Sequence, residues 1–352
     1  RARTLYEAAR KATPADARAW ARLGELDVLD DRLSPAKIEF AQALTLDPQS
    51  RAAQRGLADV AARTPNSNYH EAVETAGPIV VPMVAVDPLP VVKVRLNGTR
   101  DAYFLIDTGA PTVVIAPALA RELRADATAA GSGVFAGGLN AEVRQTELAS
   151  VALGDAAQNK VSAMVLPMEG APAPKGVRIE GLIGTGFFYH YLTTLDYAHG
   201  QLILAPKSAS ARFEAAAAAR RAIITRLWFA QDHFLFVRAG VNGAFDGLFN
   251  IDTGGDGVGV QLAERFVGAA KVTLDTAHAS KMSGPGGDVT TVPFTASVTL
   301  GGHERQGVPG LVTLGGDQYG IFPFAVAGTL SHQYFKGHSV TFDFEAMKLA
   351  VD

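Results

Sequence analysis

The chain has 352 residues, room for two domains or slightly more at roughly 150 residues per domain, and its 32 Lys and Arg against 35 Asp and Glu leave a net charge of −3 with no long basic run, which argues against nucleic-acid binding. Cysteine is absent, which excludes thiol nucleophiles, Cys-based zinc sites and a disulfide framework. Charge-free stretches such as 75–86 are broken by Pro or Gly and fall short of the ~18 apolar residues of a membrane span. Residues 1–76 contain only Gly24 and Gly56, whereas the other 34 of the 36 glycines follow. A Gly-poor, Ala/Arg-rich head and a Gly-rich body imply two architectures, because Gly weakens helix interiors and favours tight turns.

The head reads as helix. Residues 17–50 place Trp20, Leu23, Gly24, Ala36, Phe40, Ala43 and Pro48 at the spacing of two antiparallel helices with a Pro stop. This segment resembles a tetratricopeptide repeat (TPR), and a backward shift of 34 finds Ala2, Tyr6, Ala9 and Pro14 as the second helix of a preceding repeat. Residues 51–63 read as a following helix. The chain starts at Arg1 inside a helical pattern, so upstream sequence is expected to be missing; a signal peptide could have stood in it, and its removal would place the protein in the periplasm or outside the cell. Repeats bury their core by stacking, so the head is expected to be the stub of a longer array or to lean on the body. The polar segment 64–77 reads as a linker.

From residue 78 the period changes to two. Residues 91–109 (VVKVRLNGTRDAYFLIDTG) align without gaps to 236–254 (FVRAGVNGAFDGLFNIDTG) at a shift of 145, with nine of nineteen positions identical. Each copy predicts strand, Asn-Gly turn, strand. Residues 150–154 and 181–204 correspond to 297–301 and 328–351 at a shift of 147. The body therefore reads as an internal duplication, with lobes at 78–206 and 222–352 joined by the Ala-rich segment 207–221, a short helix or a flexible linker. Asp196 and Asp343, matched on the strand that follows residues 181–184 and 328–331, are expected at surface turns.

Each lobe ends a hydrophobic strand on the same tripeptide, Asp107-Thr108-Gly109 and Asp252-Thr253-Gly254. One D-T-G is most often a strand-ending turn; two in matching positions of repeated lobes are not. On these residues the body resembles the single-chain, two-lobed aspartic proteases of the pepsin and retropepsin type, in a bacterial form. The implied fold is a multidomain one, an all-α TPR-like segment (1–63) followed by an all-β two-lobed acid-protease fold. The resemblance implies Asp107 and Asp252 as the catalytic carboxylates, with Thr108, Gly109, Thr253 and Gly254 supporting them and the two Thr hydroxyls cross-bonding beneath. Two carboxylates that meet at a pseudo-twofold axis share one proton, so one serves as base toward a water and the other as acid toward a peptide carbonyl.

The resemblance also implies a Gly-containing flap hairpin in each lobe. The candidates are 131–140 with Phe135, Gly137 and Gly138, and 283–288 with Gly286 and Gly287. Gly181-Leu182-Ile183-Gly184 matches the closing loop of the family, whereas Thr329-Leu330-Ser331 departs from it. Ala110 and Gly255 follow the motifs where pepsins carry Ser or Thr, so the pair is expected to titrate higher than in pepsins. The eight His include no HExxH, no GxSxG elbow occurs, and 284–287 (GPGG) lacks the Lys-Ser/Thr of a P-loop, so no metal or other cofactor is expected. The expected substrate is a peptide or protein with apolar side chains beside the scissile bond; the head is expected to bind substrate or a protein partner, and one chain suffices as a monomer. Two other readings stay open: acid/base modification such as cyclisation or isomerisation without hydrolysis, and a silent binding scaffold.

Overall fold

Four helices open the chain: α1 (Ala2–Ala12), α2 (Ala17–Leu29), α3 (Leu33–Leu46) and α4 (Arg51–Ala62). The computed structural model describes residues 2–30, 32–62, 77–135, 139–230, 233–284, 287–316 and 318–352. Asp16 caps α2 by accepting the Arg18 N–H at 3.0 Å, and the Trp20 indole donates to Pro14 O at 2.8 Å, which fixes the turn between α1 and α2. The head core is Ala21, Ala36, Phe40, Ala43 and Ala53, one large ring among small residues. Both glycines of the head serve that ring. A Cβ at Gly24 would stand 2.7 Å from the Phe40 ring, and one at Gly56 would overlap it, so α2 and α4 can approach α3 only because these positions lack a side chain.

The body is mostly β and barrel-like. In its first half Val91–Leu96 and Arg100–Ile106 form a hairpin, with Asn97 at φ 49° and Gly98 at φ 71°; in the second, Phe234–Val241 and Phe245–Asp252 do the same, with Asn242 at φ 53° and Gly243 at φ 58°. Asn and Gly are the residues that tolerate this left-handed turn, and it matches the twist of the flanking strands.

Each motif strand then gains a parallel neighbour from far along the chain. Arg100–Ile106 pairs with Ile179–Ile183, and Phe245–Asp252 pairs with Gly328–Ser331, in register Asp252 to Ser331. Beneath both halves six antiparallel strands run in the order Ile223–Arg226, Lys348–Val351, Ser339–Asp343, Tyr191–Asp196, Gln201–Pro206, Ile79–Ala85, three from each half. One continuous apolar core joins the halves and includes the fully buried Phe104, Phe187, Phe249, Phe335 and Phe342.

The segment between the halves is ordered as a short helix, Ser210–Ala219, after a single 3-10 turn at Lys207–Ala209. The expected linker 64–77 falls outside the described residues except for Gly77. Asp196 and Asp343 do sit at turns, but not on the surface: they are 8% and 2% exposed. Asp343 accepts the N–H groups of Glu345 and Ala346 at 3.0 and 2.8 Å and the Ser210 hydroxyl at 2.6 Å, while Asp196 accepts the His199 N–H at 3.2 Å. Satisfying these backbone donors inside the fold is what draws the two carboxylates in.

Candidate active site

The two D-T-G turns meet between the halves. A Cβ placed on Gly109 would stand 2.7 Å from Cγ of Asp252, and one on Gly254 would stand 2.6 Å from Cγ of Asp107. Each motif glycine thus faces the other half's carboxylate, and any side chain there would push the two acids apart. Within its own turn each glycine N–H donates to the aspartate Oδ1, at 2.8 Å in both halves.

The threonines lie beneath. The Thr108 N–H donates to Thr253 Oγ1 at 3.0 Å, and the Thr253 N–H donates to Thr108 Oγ1 at 3.1 Å. Each hydroxyl passes its own proton to a backbone carbonyl of the opposite motif strand, Thr108 to Ile251 O at 3.0 Å and Thr253 to Ile106 O at 2.9 Å. Four buried backbone groups are satisfied by two side chains, with no freedom left in either.

Asp107 is open toward the cavity above it and enclosed by protein elsewhere. Burial pushes its carboxyl well above the ordinary carboxylate range, the negative charge of Asp252 adds to the rise, and the N–H groups of Gly109 and Ala110 oppose it only in part. A carboxyl that keeps its proton beside another carboxyl is an acid next to a base, which can move protons to and from a bound reactant.

A cavity of about 1260 Å3 opens over both acids. Val114, Met164, Leu166 and Leu182 wall it on the side of the first half, and Phe234, Tyr319 and Phe322 on that of the second. Tyr319 is held by its hydroxyl to Thr329 Oγ1 at 3.0 Å and is pushed up to about 12 by burial. The third wall comes from the head, with Glu25, Arg51, Arg55 and Asp59 on the cavity. Helix α4 lies against the strands Thr128–Phe135 and Leu139–Leu153.

Those two strands form the hairpin that contains the first flap candidate, in register Phe135 to Leu139; the candidates Gly137 and Gly138 lie outside the described residues, as does the Phe135 side chain. The second hairpin pairs Ser280–Gly284 with Gly287–Leu300, so Gly287 starts a strand, and Gly286 lies outside the described residues. No group of three or more His, Asp or Glu among the described residues is placed to hold a metal ion.

Two polar residues near the turns escaped the sequence reading. Thr185 Oγ1 donates to Thr108 O at 2.9 Å from the start of the short helix Thr185–Phe188. His332 at the equivalent place in the second half is fully buried, with Nε2 3.6 Å from Asp87 Oδ1, and burial lowers its pKa while Asp87 opposes. The available signal was positional: both follow directly on the strand that closes the repeat.

Comparison with known proteins bears on the first half. Residues 92–187 match the family model described as aspartyl protease. The match contains Asp107-Thr108-Gly109 and supports an aspartic protease fold and a hydrolase of protease type. Solved structures that align with the chain include basic 7S globulin from soybean (12% identity, 78% of this chain and 94% of that chain, TM-score 0.43) and conglutin gamma from lupine seeds (10%, 79% and 95%, 0.44). The aspartic proteinase from Irpex lacteus also aligns (12%, 78% and 96%, TM-score 0.46). No curated protein matches the sequence. No helix among the described residues is long and apolar enough to cross a membrane.

Proposed function

We propose that this chain is an aspartic endopeptidase whose catalytic pair is Asp107 and Asp252, one from each of two lobes at 78–206 and 222–352 that arose by internal duplication. The observation that carries this reading is the reciprocal seating of the motifs: each glycine against the opposite carboxylate, each threonine hydroxyl on the opposite backbone. Such a seat brings two acids into contact, and two acids in contact share a proton.

Asp107, held protonated, is the acid and Asp252 the base. Water between them gives a proton to Asp252 as its oxygen bonds to the peptide carbonyl carbon, and Asp107 donates its proton to the carbonyl oxygen. The tetrahedral diol then collapses: the C–N bond breaks, the amine leaves with a proton from the pair, and one hydroxyl proton returns to it. The apolar walls favour apolar side chains on either side of the scissile bond, and the segments 131–140 and 283–288 serve as flaps. Both acids come from one chain, so a monomer completes the site.

The head, in this reading a TPR-type array, binds substrate or a protein partner. Its support is the shared cavity: Glu25, Arg51, Arg55 and Asp59 face the same space as the two acids. A substrate reaching beyond the apolar walls meets this charged surface.

Digestion of a peptide library followed by mass spectrometry tests the reaction. Cleavage at defined bonds, each product pair summing to the parent plus one water, with loss in Asp107→Asn and separately in Asp252→Asn, is the expected result. Products of unchanged mass, or of parent minus water, would replace hydrolysis by another acid/base reaction; unchanged cleavage in either variant would remove the pair.

A further inference from the structure

The two halves hold their D-T-G turns with different side chains. In the first, Gly184 closes the loop against the turn backbone: a Cβ there would overlap Ala110 O and stand 2.5 Å from Thr112 O. Ala110 meets Gly184 through its backbone oxygen while its methyl packs in the cluster of Val114 and Leu166, and Thr185, one residue on from Gly184, donates its hydroxyl to Thr108 O at 2.9 Å. In the second half each member of the contact is exchanged. Ser331 stands 147 residues after Gly184, and Gly255 stands 145 residues after Ala110. A Cβ on Gly255 would fall on Ser331 Oγ, so in this half the closing strand carries a side chain over the turn and the turn residue beneath it carries none.

The hydroxyl is also displaced by one residue. His332 occupies the position of Thr185 and has no hydroxyl to give. Ser331 Oγ donates instead to Asp252 O, one carbonyl earlier than in the first half, and accepts the Gly255 N–H at 3.1 Å. Ser331 is 2% exposed, and its N–H is fixed by Gly259 O at 2.9 Å. One side chain thus bridges both ends of the turn that carries the Asp252 carboxylate. Buried and doubly bonded, it holds that turn in a single arrangement.

We propose that Ser331 is the positioning residue of the second carboxylate and that Ser331 with Gly255 is a compensated exchange for Gly184 with Ala110. This rests on the reading of Asp107 and Asp252 as the reacting pair. It also accounts for the departure of Thr329-Leu330-Ser331 from the closing-loop pattern: the glycine expected at 331 is replaced because a glycine at 255 makes room.

The test is a cycle of Ser331→Ala, Ser331→Gly, Gly255→Ala and Gly255→Ala/Ser331→Gly in the full chain, each assayed for peptide cleavage across pH and for thermal unfolding. Ser331→Ala is expected to lower kcat about tenfold or more with little change in KM, as misplacement of a reacting group does, and to move the pH profile. Gly255→Ala alone is expected to lose both activity and unfolding temperature, and the double variant, which recreates the first-half pairing, to recover a large part of both. A wild-type kcat and pH profile in Ser331→Ala would overturn the positioning role. A double variant no better than Gly255→Ala would overturn the exchange. An inactive wild type would sink the peptidase reading instead, and the unfolding temperatures would still decide whether the two positions compensate.

Discussion

The hydroxyls of Thr194 and Thr341 lie 2.7 Å apart at the centre of the strand pair that joins the two halves. They are the one facing pair in that register separated by 147 residues; on either side Leu192 faces Asp343 and Asp196 faces Ser339, a mirrored arrangement. A local twofold therefore passes between the two hydroxyls, and the D-T-G turns meet above the same sheet. Each hydroxyl has the other as its partner, so Thr194→Val strands Thr341 and Thr341→Val strands Thr194. Each single variant is expected to cost about 1–2 kcal/mol, and the double Thr194→Val/Thr341→Val less than the sum, because no buried hydroxyl is left over. Urea unfolding of the four proteins measures this, and additive losses would mean the pair is not coupled.

Thr108 and Thr253 are coupled more tightly, since each satisfies an N–H and a C=O of the other half. Thr108→Val keeps the shape and orphans the Thr253 N–H and Ile251 O, at a cost of about 2–4 kcal/mol. Thr108→Ser keeps the hydroxyl and is expected to retain most stability and most peptide cleavage. Equal loss in the Val and Ser variants would show that the hydroxyl alone does not hold this position and that the methyl is needed as well.

What was readable in advance was what local chemistry decides. The Asn97-Gly98 and Asn242-Gly243 turns and the helix spans around Phe40 and Pro48 all depend on residues within a few positions of one another. The offset repeat then put Asp107 and Asp252 at equivalent strand ends without any knowledge of packing. Contacts between distant segments were not readable. Ser331 looked like a defect in a pattern because its partner, Gly255, is 76 residues earlier. Asp196 and Asp343 looked like surface turn residues because no periodicity marks a buried carboxylate that caps its own turn. That the head leans on the body was one of two readings open to its unstacked repeat; the face it uses, α4 against the strands of the first hairpin, is announced by no pattern in either segment.

Within the head, Glu39 on α3 is pushed up to about 7, first by burial and then by Asp27 on α2, while Arg10 and Arg3 on α1 oppose the rise. Arg10 pairs with Glu39 at 3.3 Å, and Asp27 is bridged by both Arg3 and Arg32. A folded-state value above the unfolded carboxyl value of ~4.3 means that the folded head prefers the proton. Its contribution is complete below that value and is lost as pH rises toward 7. Hydrogen exchange of α2 and α3 amides is expected to speed up across this window in the wild type beyond the intrinsic pH dependence, and Glu39→Gln is expected to flatten the excess. An equal excess in both proteins would assign the effect elsewhere.

Asp107 gives the body the same sign of pH dependence. Its folded pKa stands well above the unfolded value of ~3.9, so protonation stabilises the fold, and the stabilisation is full below that value and lost as pH climbs through the raised folded pKa. In the proposed reaction the same proton is the one Asp107 donates, so peptide cleavage is expected to fall on its alkaline side where stability falls. Asp107→Asn keeps the shape, carries no charge and removes the repulsion with Asp252; it is expected to unfold at a higher temperature than the wild type above neutral pH, with the difference shrinking toward pH 4, while cleaving nothing. Thermal unfolding of both proteins from pH 4 to 9 reads the difference directly. A gap that widens toward acid would mean that Asp107 is ionised in the folded protein, and Asp107 and Asp252 would then exchange the proposed roles of acid and base.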